Sequence, residues 1–198
     1  HSGESPMVGL DPRAWVPMFW KCANAVVIGR GKTMKEWVGA AEAKRVETVL
    51  KDAAKLLVTT VQARLERAKI EYDKRFAPGT KERKLAKEHA AGIGVPVRVA
   101  AQADDVEDHP CPACGSKGWM LGFEADSRVV ERGGDPGDFG LYDAYEIVMT
   151  SYGIDGYACP ECGLLLDGRD ELNVAGLPES FEREESREPT YEEEYGND

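Results

Sequence analysis

The feature that most restricts how this 198-residue chain can fold is a repeated pentapeptide, Cys111-Pro112-Ala113-Cys114-Gly115 and Cys159-Pro160-Glu161-Cys162-Gly163. Two cysteines with two residues between them sit on one tight turn and can aim both thiolates at a single point. The glycine after each pair permits backbone geometry that a side chain would hinder. An ion that favours four soft ligands in a tetrahedron, zinc above all, is satisfied by two such turns. The spacing therefore predicts a structural Zn2+ site built from Cys111, Cys114, Cys159 and Cys162. It also brings together two segments separated by 44 residues.

Four thiolates leave no open coordination position, so the expected metal holds structure and performs no chemistry. Iron on similar knuckles, as in rubredoxins, is the redox alternative, and the long acidic insert between the pairs disfavours it. His109, two residues before Cys111, could replace a thiolate but reads as an exposed linker histidine. The fifth cysteine, Cys22, stands among Phe19, Trp20 and Ala23 and reads as a buried apolar side chain. An odd number of cysteines with paired spacing fits metal binding in a reducing cytoplasm better than a disulfide framework.

Over about residues 109–168 the knuckles resemble those of zinc ribbons. That resemblance implies a metal-held β-hairpin module and leaves its partner open. The stretches 119–130 and 141–152 flank Gly133-Gly134-Asp135-Pro136-Gly137 and predict a long hairpin pinned at its base by the metal. Tyr157 and residues 164–166 are expected as strand around the second knuckle, and 168–176 as a short helix.

Ahead of this module the periodicity is helical. Asp11-Pro12 makes a helix start, and Trp15, Val16, Phe19, Trp20, Ala23 and Val27 follow at helical spacing until Gly29-Arg30-Gly31. Thr33 and Glu36 have the spacing of a capping box. Val46, Leu50, Ala54, Leu57, Val61, Leu65, Ala68 and Tyr72 then line one face of a helix expected to end before Pro78-Gly79. At about 40 residues it would be about 60 Å long, with Val58-Thr59-Thr60 as its weak point. The first helix looks too short to cover this stripe. A homo-oligomer, a protein partner or upstream sequence is therefore expected over the long helix, and the opening at His1 fits a tag remnant or a piece of a longer chain.

Residues 80–91 read as a further basic helix and 95–99 as a short strand. The fold class is α+β. A helical region (1–100) with one long helix precedes an acidic linker (101–109), a zinc-ribbon domain (110–176) and an acidic tail (177–198) expected to lack order. No stretch of about 18 apolar residues is present, so no membrane span is expected, and no signal peptide is expected around Met7 to Leu10.

The net charge of −11 divides unevenly: residues 1–100 carry 19 basic and 11 acidic side chains, and the remainder 6 and 25. The basic half, Lys81, Arg83, Lys84 and Lys87 especially, would suit nucleic acid, whereas the acidic ribbon would repel phosphates. Gly29-Arg30-Gly31-Lys32-Thr33 echoes the end of a phosphate-binding loop, but Val26 stands where that loop needs its first glycine, and a turn with a capping box explains it. Arg83 and His89 loosely resemble the Arg-x(4–6)-His signature of HEPN ribonucleases, which implies roles in transition-state stabilisation and proton transfer. Here Lys84 replaces the usual polar residue after the arginine. The composite reading is a zinc-ribbon adaptor or assembly subunit, with a nucleic-acid-associated protein and a HEPN-like ribonuclease as alternatives.

Overall fold

The computed structural model describes residues 12–133 and 145–188. Asp11, all but Gly133 of the glycine-rich turn expected at 133–137, and residues 141–144 of the expected second hairpin strand lie outside them, as do residues 189–198. The described chain is a mix of helices and one antiparallel sheet, with a helical N-terminal region and a strand module carrying the cysteines. Two compact units emerge, residues 1–60 and residues 61–198.

In the first unit, helix α1 (Pro12–Gly29) ends in a tight corner. Lys32 N–H donates to Val27 C=O at 3.0 Å and Gly31 N–H to Ile28 C=O at 2.8 Å, with Gly31 at φ +69°. This paired closure needs a left-handed residue, which glycine supplies without strain. Thr33 then caps α2 (Met34–Val38), with its hydroxyl and backbone N–H both bonded to Glu36. The Gly-Arg-Gly-Lys-Thr stretch is thus a helix–helix corner. Cys22 is exposed rather than buried, because its face of α1 is left open.

The expected long helix is interrupted at Gly39 (φ +83°) and resumes as α3 (Ala40–Arg75), 36 residues without a break at 58–60. There the β-branched run is accommodated, and Thr59 returns its hydroxyl to Lys55 C=O at 2.9 Å.

In the second unit, the second half of the apolar stripe is covered by the chain itself: Val61 and Tyr72 are wholly buried, Ala68 nearly so and Leu65 in part. Helix α4 (Lys81–Gly92) is capped by Thr80. Residues expected as strand at 95–99 instead form a helical turn, α5 (Val97–Ala100), started by Pro96. The sheet consists of β1 (Asp105–Pro110), β2 (Lys117–Gly133), β3 (Tyr145–Cys159), β4 (Leu164–Asp167) and β5 (Ser180–Arg187), with α6 (Arg169–Val174) between the last two strands. Strand β3 is central, with β2 along one edge and β4 and β5 in succession along the other.

Two expectations from composition are corrected. The acidic linker at 101–109 contributes β1, and the tail expected to lack order contributes β5. In both cases contacts with a distant strand hold the segment in the sheet. Arg183 of β5 donates to Asp105 at 2.8 Å and to Val106 C=O at 3.1 Å. Phe181 is buried and stacks on Tyr152 at 5.1 Å between centroids. Farther along, buried Glu146 lies between Arg132 at 2.9 Å and Arg187 at 3.5 Å, which ties β2, β3 and β5 together.

Candidate metal centre

Each knuckle is a turn closed by its glycine. Gly115 N–H donates to Cys111 C=O at 2.8 Å with φ +69°, and Gly163 N–H donates to Cys159 C=O at 2.9 Å with φ +71°. The first turn connects β1 to β2 and the second connects β3 to β4, so antiparallel pairing of β2 with β3 carries the two turns to one end of the sheet. Trp119 opposite Ala158 fixes the register beside them.

The four sulfurs lie within 4.8 Å of one another, with Cys111 and Cys162 at 3.5 Å and Cys114 and Cys159 at 3.8 Å. A tetrahedron with metal–sulfur bonds of about 2.3 Å has edges of about 3.8 Å. A disulfide would need about 2.05 Å. The four sulfurs are thus close enough to share a tetrahedral ion and too far apart for a disulfide. Three of the thiols are buried and Cys162 is half-buried. Among the described residues this is the one group of three or more such side chains close enough to share an ion.

So much sulfur in so little space cannot carry four negative charges unaided. Cys114 is held far below the ordinary thiol range by hydrogen bonds from Cys111 and then from Cys159 and Cys162. Cys162 is pushed far above it by Cys111, Cys114 and Cys159. A divalent cation removes this conflict, because each thiolate then faces a positive charge. Backbone N–H groups already point at the sulfurs: Ala113 donates to Cys111 at 3.4 Å and Ser116 to Cys114 at 3.5 Å.

Around this core the structure places residues that the motif alone did not reveal. The Ser116 hydroxyl, buried, donates to the buried Tyr72 hydroxyl at 3.1 Å, joining α3 to the first knuckle. Arg83 stacks over Tyr72 at 4.9 Å, pairs with Asp73 and donates to Phe76 C=O at 3.3 Å. Lys87 places its ammonium 2.9 Å from where a Cβ on Gly115 would stand, so α4 also lies against the first knuckle. Lys117 caps Ala91 C=O at 3.3 Å and covers the Trp119 ring. On the other side, a groove of about 360 Å3 runs between Arg64, Arg67 and Glu71 of α3 and Cys162 and Leu164. Arg64 is held there by Glu171 of α6 at 2.6 Å.

Other candidates from the sequence fall elsewhere. His109 stays outside the sulfur cluster, and its carbonyl accepts from Tyr157 at 3.3 Å. His89 is exposed, whereas Arg83 is committed to Asp73. Six helical residues turn about 240°, so the two do not share a face of α4. Lys81, Lys84 and Lys87 flank an open concavity beside Arg83, with Lys84 3.8 Å from Glu88.

Fold and site together define an α+β protein with a four-cysteine cluster at metal-binding distance, consistent with a zinc-ribbon-like module. Comparison with known protein families, curated proteins and solved structures finds no match.

Proposed function

We propose that the protein is an adaptor or assembly subunit whose structural zinc, held by Cys111, Cys114, Cys159 and Cys162, fixes a rigid scaffold for protein–protein interaction. The observation that carries this reading is the closed four-sulfur cluster with α3 and α4 fastened to it through Tyr72, Ser116 and Lys87. An ion with four protein ligands has no position left for a substrate, so its contribution is folding energy and rigidity. A rigid platform holding long helices suits the presentation of a surface. The odd number of cysteines with paired spacing supports a reducing, cytoplasmic setting for such a scaffold.

The second reading, nucleic-acid binding through Lys81, Arg83, Lys84 and Lys87, has the basic concavity at the start of α4 in its favour. Arg83, however, spends its charge on Asp73, and the sheet beside it is acidic. A HEPN-like ribonuclease would need Arg83 and His89 to converge on one phosphate. RNA and DNA titrations at physiological salt, with an RNA cleavage assay on wild type and His89→Ala, separate the three. The adaptor reading expects no tight complex and no cleavage that the substitution removes. It would be overturned by binding abolished in Lys81→Glu/Lys84→Glu, or by cleavage reduced about a hundredfold or more in His89→Ala, the usual worth of a proton-transfer group.

A further inference from the structure

The described residues of the first unit bury almost nothing. Among its described residues only Val27 and Val46 are buried, while Met18, Phe19, Val26, Ile28 and Trp37 are between 50% and 67% exposed. Large apolar side chains clustered this way mark interaction surfaces when they form a contiguous patch. Here the patch is concave. Phe19, Cys22 and Val26 recur at helical spacing along α1, and Trp37 of α2 forms the opposite wall of a groove of about 550 Å3.

Its shape is set in advance. The corner between the helices is closed by the Lys32–Val27 and Gly31–Ile28 bonds and by the Thr33–Glu36 capping box. The wall carrying Trp37 therefore needs no rearrangement to meet α1, and preorganisation reduces the cost of binding. Both charged side chains that line the groove are basic. Arg30 and Lys32 line its end, Lys35 lies on α2, and α1 contains no acidic residue. Glu36 is the sole carboxylate of residues 12–37; its Oε2 accepts from the Thr33 N–H and hydroxyl, and it does not line the groove.

We propose that this groove docks an acidic amphipathic helix of a partner protein, a reading that rests on the adaptor function above. Apolar side chains at i, i+3 and i+7 of such a helix would fill the space between Phe19, Val26 and Trp37, the helix-in-groove mode. Flanking carboxylates would meet Arg30 and Lys32 at its end and raise the association rate. A second copy pairing through the same groove would bring like charges together. A lipid surface would be met by a flat face rather than by a slot between two helices.

The experiment is fluorescence anisotropy on the full, zinc-loaded chain. The probe is a labelled helical peptide of about 15 residues with leucine at i, i+3 and i+7 and glutamate on its remaining face. Saturable binding is expected, weakened at least about tenfold by Phe19→Glu and by Arg30→Glu/Lys32→Glu, and falling with added salt. Phe19 is half exposed, so its replacement should leave the fold intact, as circular dichroism and zinc content check; the charge variant leaves the apolar walls untouched. The proposal is overturned by no binding, by equal binding of the peptide with lysine in place of glutamate, or by variants that bind like wild type. It is equally overturned if the chain self-associates through this groove or if phosphatidylglycerol vesicles, and not the peptide, are bound in a Phe19-dependent way. Absence of peptide binding would leave the adaptor reading standing, whereas a nucleic-acid complex in the titration above would remove that reading itself.

Discussion

At the scale of single residues, the knuckles depend on positions that carry no ligand. Gly118, in β2, lies under the Tyr157 ring: a Cβ there would stand 1.9 Å from the phenol oxygen and 3.1 Å from Ala158 C=O. Tyr157 is buried and bonded to His109 C=O, and burial, followed by the Cys111 and Cys159 thiolates, pushes its hydroxyl pKa up. The ring therefore cannot easily yield. Gly118→Ala should destabilise the module by about 1–3 kcal/mol, the usual cost of overpacking, measured by urea denaturation of the zinc-loaded chain. Unchanged stability would mean that the close approach is relieved elsewhere. The thiolates give a second expectation. Protons compete with zinc for all four sulfurs, so apparent affinity in a chelator competition should fall steadily as pH is lowered, and a pH-independent affinity would contradict tetrathiolate binding.

Secondary-structure elements show what the sequence alone reveals and what it does not. The cysteine pairs, the capping box at Thr33, α4 and α6 were all legible, because short-range chemistry decides them. The boundaries of β1 and β5 were not. Their glutamates and aspartates dominate the composition, and what orders them lies on distant strands: Arg183 for Asp105, and Tyr152 for Phe181. The cover over the end of the long helix was missed for the same reason, since Tyr72 meets Ser116 across 44 positions. Backbone amides of 181–186, paired with β3, should be protected from hydrogen exchange, and exchange at free-peptide rates would refute β5 as a strand. Tyr72→Phe should cost about 1 kcal/mol of stability by leaving the buried Ser116 hydroxyl without its acceptor. Ser116→Ala/Tyr72→Phe together should cost less than the sum of the two single changes, and a double-mutant cycle reads the difference.

For the whole molecule, the division of charge now has a structural counterpart. The acidic half is a sheet whose carboxylates are partly matched internally, by Arg132, Arg183 and Arg187. Basic residues of α3 and α4, among them Arg64, Arg67 and Lys87, lie around a sulfur cluster that remains doubly negative with a divalent ion bound. Sulfur cluster, sheet and these helices thus support one another, and removing an ion bound there should loosen α4 and the end of α3 as well as the knuckles. The N-terminal unit keeps its apolar groove open with cations at its end, where the proposed partner helix would dock. The strand module depends on the ion. The most direct measurement is elemental analysis of the purified chain, paired with far-ultraviolet circular dichroism of wild type and Cys159→Ser. The account predicts about one zinc per chain, and loss of both metal and sheet structure in the variant. Iron in place of zinc, or a folded module without metal, would contradict it.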